Sequence, residues 1–418
     1  MNRKSFILKS SLAAGALLTP NLLWSLHGSS ANVKVVIIGG GFSGLAAAYK
    51  LHQQGISFII LESRNRIGGR VFSHQMSGDL VIELGGEWIG NSHTRMRELS
   101  DEFNLTLQNN QLETHLLYKN QYSAAGKWDY SPEWRAKFEN MLQKYPELSE
   151  AAKQEMDQYD WWRYLVDNGC SARDLEIREL LDSTDFGESI RHVSAFAALA
   201  EYAESSPKNE MDLKIKGGNG KLAEAFRTKI GAENIRLKHH VSQIDQRGKK
   251  VIVTCNNGTK IECERVICTA PAFALSRINW LPALPKIFSE ALRELQYARI
   301  QKHALQFSER FWGDESFDLI TDQSPQYFYH ATKNQDSKEG VLIAYSIGDK
   351  AAMNANQTNE FRRKMFSGVW NRILEISNHC SKIKSVIIGE MTNIHAALTR
   401  CTELINGLRF VPYYLNLL

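Results

Sequence analysis

Three glycines, Gly39, Gly41 and Gly44, follow directly on the apolar run Val33-Lys34-Val35-Val36-Ile37-Ile38. The G-x-G-x-x-G spacing is one with which a bare backbone grips a dinucleotide pyrophosphate. Gly39 permits a tight turn, Gly41 lets the main chain approach a phosphate, and Gly44 lets a helix lie close on a strand. Phe42 and Ser43 belong to the same loop and are candidate contacts. Free N–H groups at the start of the next helix, and the positive end of its dipole, suit a phosphate. Glu62 follows about twenty residues later, where a carboxylate can accept from ribose hydroxyls.

These residues need a frame. The run to Ile38 reads as a buried parallel strand. Leu45 to Gln54 reads as a helix, favoured by Ala46, Ala47 and Ala48 and ended by Gly55. Ser57 to Leu61 is a second strand, which delivers Glu62. Strand, glycines, helix, strand and acid occur in the order of a βαβ nucleotide-binding unit.

The next segments resemble those of the flavin-dependent amine oxidase family. Arg64-Asn65-Arg66-Ile67-Gly68-Gly69-Arg70-Val71 is similar to that family's R-x-G-G-R stretch. The resemblance implies that the Gly68 and Gly69 backbone passes close to the flavin phosphates, that Arg64 is a further cofactor contact, and that Arg70 holds charge near the pyrophosphate or the ring. A plain glycine turn with solvated arginines is the competing reading. Val81-Ile82-Glu83-Leu84-Gly85-Gly86-Glu87-Trp88-Ile89-Gly90 resembles the family's D/E-L-G-G-x-W/Y segment, which runs beside the flavin. It implies Gly85, Gly86, Glu87 and Trp88 as cofactor contacts; Trp88 by itself reads equally as a core aromatic.

Further on, residues 92–211 are polar and helix-rich, with Ser131-Pro132-Glu133 opening one helix as cap, first-turn proline and acid. Asp160-Trp161-Trp162-Arg163-Tyr164 brings aromatics that either cap a substrate cavity or pack within a helical layer. Lys216-Gly217-Gly218-Asn219-Gly220-Lys221-Leu222 resembles the family's GG-N/M-x-x-L element and precedes a helix to about Ile230. A strand at Val241–Ile244 follows, and the resemblance sets Val241 against the adenine end of FAD through its backbone. Asn256-Asn257-Gly258 is a hairpin turn between Lys250–Cys255 and Thr259–Cys263. Arg265–Pro271 matches the family's next strand and turn. Tyr297 to Phe307, ending in Phe311-Trp312, resembles the strand that carries the family's lysine. Alternation puts Lys302 on one face with Ile300 and Ala304. A lysine on an apolar face needs a partner; an exposed lysine on an edge strand is the alternative. The resemblance implies that Lys302 hydrogen-bonds a water beside flavin N5. Strands near 326–330, 341–347 and 385–388 and a helix over 359–376 complete the pattern, so the resemblance spans roughly residues 33–389.

The expected fold is therefore α/β, a Rossmann-like FAD-binding domain interleaved with a mixed α+β substrate domain. The FAD-binding part is expected at 32–92 and 212–290. A helical cap region is expected at 93–211, and the substrate sheet and helix at 291–389. The implied cofactor is FAD and no metal is implied. The implied reaction takes a hydride equivalent from a primary or secondary amine or amino acid, leaves an imine, and passes the electrons to dioxygen to give peroxide. A flavin desaturase or porphyrinogen oxidase relative, and a non-catalytic FAD-binding remnant, are the competing readings. Arg95 and Arg97 are candidates for a substrate carboxylate, against the plainer reading of surface helix charge.

Composition excludes other classes. A formal charge of +4 over 418 residues, with no long basic run, does not suit nucleic acid. Six cysteines without a C-x-x-C pair do not suit zinc or a disulfide scaffold. Residues 1–31 combine a basic start, Asn2 to Lys9, with the short apolar run Ser11–Leu18 and small residues at Ser29-Ser30-Ala31. This predicts an export signal of twin-arginine type, with Arg3-Lys4 for the usual pair, rather than a stable membrane span. A peripheral N-terminal helix is the alternative. Residues 390–418 match nothing in the family. Back-translation from Met391 with a two-base shift allows Asp-Lys-Tyr-Pro-x-Gly-Ala-Tyr, the family's absent P-x-G-A-Y. The expectation is a frameshift near codon 390, an out-of-frame tail, and with it weakened FAD affinity and activity. Substrate identity and oligomeric state are not legible.

Overall fold

The computed structural model describes residues 33–204, 212–310 and 312–376. The expected export signal, the strand at 385–388 and the out-of-frame tail lie outside the described residues. The chain divides into two compact units.

The first unit takes residues up to Gly69 together with Phe226–Leu292. Its centre is a four-stranded parallel sheet in the order Arg265–Cys268, Val35–Ile38, Phe58–Leu61, Ile235–Arg236. Val35–Ile38 and Phe58–Leu61 are buried throughout, as β-branched and aliphatic runs in a parallel sheet must be. Helix Phe42–Gln53 joins them and buries Leu45, Ala48 and Tyr49. It ends where Gly55 takes a φ of 65° and its N–H bonds His52 O at 3.0 Å. A second sheet, in the order Lys260–Cys263, Val251–Cys255, Val241–Asp245, Asn279–Leu281, packs on the first. Val36, Ile38, Ile59 and Leu61 share one core with Val241, Ile244, Val253 and Ile261. The Asn256-Asn257-Gly258 hairpin forms as expected between antiparallel Val251–Cys255 and Lys260–Cys263.

The second unit takes Arg70–Ala225 and the chain from Arg293. Its six-stranded sheet runs Ile300–Phe307, Gly340–Ile347, Tyr327–His330, Phe317–Thr321, Glu113–Tyr118, Gln121–Ser123. One face carries Leu305, Phe307, Leu319, Phe328 and Leu342, with Phe366 of helix Asn359–Ile376 in the same core. The opposite face carries Ala304, Tyr329 and Ile343, packed on Leu80 and Ile82. A helical layer surrounds Trp134, Phe138, Trp161 and Leu165. Its helices Pro132–Lys144, Glu150–Met156, Trp161–Asp167 and Ala172–Phe186 each start on a Ser or Asp side chain that accepts a backbone N–H of the first turn. Trp161 is fully buried and donates to Asp182 at 2.7 Å, so for this aromatic the packing reading holds.

Two expectations need correction. The stretch 93–211 is not purely helical. Glu113–Tyr118 is an interior strand of the large sheet, paired in parallel with Phe317–Thr321 about two hundred positions on. Its sequence has no alternation, and only that long-range pairing makes it a strand. Segments 70–92 and 212–225 also leave the nucleotide-binding part for the second unit. There Ser73–Gln75 pairs with Val81–Glu83, and Leu213–Ile215 with Leu107–Asn109.

Candidate active site

In the first unit the loop after the first strand is shaped by contacts that admit only glycine. Gly39 has a φ of 109°, and a Cβ there would stand 2.7 Å from Thr269 Oγ1. A Cβ on Gly44 would fall 2.0 Å from Gly39 O, so the helix could not start where it does. Gly41 differs: a Cβ would meet only Gly69 Cα, at 3.7 Å. The protein itself leaves room at Gly41, and a side chain would fill the space beside the loop. Helix Phe42–Gln53 opens there with no side-chain cap and no acid in its first turn. Bare amides, a positive helix end and a cradle that a side chain would occupy fit a pyrophosphate.

Glu62 is buried and tied to this loop. Its Oε2 accepts from Gly40 N at 2.7 Å and its Oε1 from Arg64 N at 2.8 Å. The carboxylate thus braces the loop as well as presenting its remaining lone pairs. Gly68 N donates to Gly40 O at 2.8 Å, which lays the second glycine turn along the first. Arg64 and Arg66 both donate to Gly69 O, at 3.2 and 2.9 Å, so these two are braces rather than solvated charges. Val241 spends its side chain on the core, and the pairing register slips between it and Gln243. Only its main chain is left for a ligand.

In the second unit Arg70 is exposed, and its carbonyl accepts from Gly86 N at 2.9 Å. A Cβ on Gly85 would lie 2.0 Å from Arg70 O, so Gly85 is required by the chain's own packing. Beyond this turn stands a buried ionic cluster. Glu87 accepts from Lys214 Nζ at 2.5 Å and from Lys302 Nζ at 2.8 Å, and Tyr329 donates its hydroxyl to the same carboxylate. Lys302 also donates to Gly85 O at 2.9 Å and, more weakly, to Glu83 O at 3.4 Å. Its side chain is 13% exposed although its strand is at the sheet edge, so the partnered reading of Lys302 is the one observed. Lys214 Nζ sits 3.9 Å over the Trp88 ring, and Trp88 packs on Tyr329 at 6.1 Å between ring centroids. Burial raises the Glu87 pKa, but Lys214 and then Lys302 outweigh it and hold the group at about 2. Burial lowers the Lys214 pKa against the pull of Glu87.

Glu83, the first acid of the same motif, has the opposite character. Its Oε1 accepts from Ser73 Oγ and Asn219 N, both at 2.7 Å, while its buried Oε2 has no partner. Burial pushes its pKa up to about 7, against the Ser73 and Asn219 hydrogen bonds. Asn219 also donates to Glu87 O at 2.6 Å, so the Gly-Gly-Asn turn is bolted to the Gly-Gly-Glu-Trp turn. Cross-strand pairing places Lys302 opposite Tyr345, and Tyr345 opposite Tyr327. An aromatic row therefore runs across the sheet from the lysine.

Sequence reasoning missed Lys214, Ser73 and Tyr329. The signal for Lys214 was present: a lysine between Leu213 and Ile215 in a short strand is the same oddity that singled out Lys302. Arg95 and Arg97 lie on helix Thr94–Glu102, where Arg95 pairs with Glu98 at 3.0 Å and Arg97 donates to Asn91 O. They are helix surface charge. No helix among the described residues is long and apolar enough to cross a membrane.

These features meet the comparisons with known proteins. Residues 42–365 match the family of flavin containing amine oxidoreductases. The chain belongs to that family and is an FAD-dependent amine oxidase. It is 23% identical to mouse (Mus musculus) amine oxidase [flavin-containing] B over 377 residues, 81% of this chain and 70% of that one. It is 25% identical to pig (Sus scrofa) amine oxidase [flavin-containing] A over 370 residues, 82% and 70% of the two chains. Among solved structures, putrescine oxidase bound to putrescine superposes with a TM-score of 0.71 at 20% identity, covering 85% of this chain and 83% of that one. Cyclohexylamine oxidase from Brevibacterium oxydans IH-35A gives 0.71 at 20% identity, covering 81% and 80%.

Two outcomes check these assignments. Gly41→Val leaves the fold intact and abolishes FAD uptake in a fluorescence-quenching titration, because only the cradle is filled. Glu87→Ala leaves two lysines in a buried site without their carboxylate and costs about 3–5 kcal/mol in denaturant unfolding; a loss below about 1 kcal/mol would mean that the cluster is solvated.

Proposed function

We propose that the chain oxidises the C–N bond of a primary or secondary amine, or of an amino acid, to an imine. Dioxygen is the electron acceptor and hydrogen peroxide the second product. The observation that carries this reading is the buried Lys302 ammonium, fixed by Glu87 and Gly85 O beside an aromatic row. FAD, when bound, supplies the two-electron acceptor for the C–N bond and the route of those electrons to oxygen. Gly39, Gly41, Phe42, Ser43 and Gly44 would hold its pyrophosphate, with Glu62 on a ribose and the Val241 main chain on the adenine end.

Lys302 has two good acceptors and one long one. One N–H is therefore weakly used and free to orient a water at the reacting centre. Glu87 and Lys214 fix the direction of that donor, which is worth more in a buried site than in water. Tyr327, Tyr329 and Tyr345 exclude bulk water and offer π faces to an amine. A neutral amine gives up hydrogen from the carbon next to nitrogen, and water later hydrolyses the imine to a carbonyl compound and ammonia or a smaller amine.

The test is an anaerobic amine screen on purified holoprotein, followed by admission of oxygen. A substrate amine bleaches the yellow colour, and oxygen restores it with one peroxide per turnover. Lys302→Met keeps FAD and amine-driven bleaching but reoxidises at least tenfold more slowly. Unchanged reoxidation in that variant would remove Lys302 from the reaction.

A further inference from the structure

The mechanism above makes no use of Glu83, yet Glu83 shares the buried cluster with Lys302. The residue is 4% exposed and one of its carboxyl oxygens has no hydrogen-bond partner. A buried carboxyl is normally satisfied at both oxygens, so an orphan one marks a group kept for something besides packing. The orphan is not forced by scaffolding: Oε1 alone performs the tie to Ser73 and Asn219. The charged groups within reach are Lys302, Lys214 and Glu87; Ser73 and Asn219 are the neutral partners. His74, beside Ser73 on the paired strand Ser73–Gln75, stands opposite Ile82 and so on the other face of the ribbon from Glu83.

Charge counting gives the consequence. With Glu83 ionised, two carboxylates balance two ammonium groups. With Glu83 protonated or removed, the cluster carries one excess positive charge in a medium that screens poorly. That excess is relieved by losing a proton from a lysine. Lys214, 8% exposed, bonds Glu87 at 2.5 Å; Lys302, 13% exposed, bonds Glu87 and also the glycine turn through Gly85 O.

We propose that Glu83 is a positioning residue for Lys302, a carboxylate whose charge keeps the proton on the Lys302 ammonium while the enzyme turns over. The proposal rests on the assignment of Lys302 to the reaction with oxygen. Removing a negative charge from beside an ammonium lowers its affinity for a proton. Loss of oxygen reactivity with rising pH therefore begins earlier in Glu83→Gln than in the wild type.

The experiment follows the rate of reoxidation of dithionite-reduced holoprotein by dioxygen between pH 6 and 10, in wild type, Glu83→Gln, Glu83→Asp and Lys302→Met. The expected result is a fall-off displaced downward by about one pH unit or more in Glu83→Gln, a tenfold change in proton affinity. Glu83→Asp, which restores the charge, moves back toward wild type. Coincident profiles for wild type and Glu83→Gln, with Lys302→Met slowed, overturn the role of Glu83 alone. A Lys302→Met profile equal to wild type overturns the assignment of Lys302 beneath it. A second readout needs no turnover and no variant that folds poorly. In pH-difference infrared spectra the wild type shows a protonated-carboxyl band that disappears across neutrality. Asp185 and Asp318 are raised acids too, so the Glu83 component is the part of the band absent from folded Glu83→Gln. A wild type in which that component stays protonated up to pH 10 contradicts the proposal, since Glu83 then carries no charge.

Discussion

Glu87 carries the arrangement of the second unit's site. A carboxylate 1% exposed is tolerable only if its charge is answered, and here two lysines and a tyrosine hydroxyl answer it. Each partner comes from a different stretch of chain: Leu213–Ile215, Ile300–Phe307 and Tyr327–His330. One buried charge thus fixes the relation among three strands and the glycine turn that bears it. If it were neutral, Lys302 would lose its one ionic hydrogen-bond partner and keep only carbonyl acceptors, Gly85 O and the longer contact to Glu83 O, to hold it inward from an edge strand. The cost of enclosing these ions is met by the apolar packing around them, where Leu80, Ile82, Ala304 and Ile343 close one face of the sheet.

The first unit solves a different problem with different means. Its loop uses no charge of its own toward the ligand. Close main-chain approaches at Gly39 and Gly44 set the turn, and the uncapped helix supplies polarity. Glu62 then ties two segments together, bracing Gly40 and Arg64 through their N–H groups.

Much of this was legible in the sequence because it is local. Val35–Ile38, the glycine loop and Phe58–Leu61 announce themselves by β-branched runs and fixed spacing, and Ser131-Pro132 marks a helix start to the residue. Lys302 was legible through alternation. What was not legible depended on contacts between distant positions. Glu113–Tyr118 becomes a strand only by pairing with Phe317–Thr321, and segments 70–92 and 212–225 change unit through their own strand pairs. Lys214 meets Glu87 across 127 positions, a coincidence no window of sequence displays. The different fates of Glu83 and Glu87, four residues apart in one motif, follow from which of them the two ammonium groups bond.

The most direct measurement of the central claim is a lysine-ammonium ¹H–¹⁵N correlation spectrum of the ¹⁵N-lysine protein near neutral pH. Exposed ammonium protons exchange with water too fast to be seen, whereas hydrogen-bonded, buried ones persist. The account predicts protected signals from Lys214 and Lys302, each assigned by substitution, and the loss of both in Glu87→Gln. A Lys302 ammonium that exchanges as fast as the surface lysines in the wild type would contradict it.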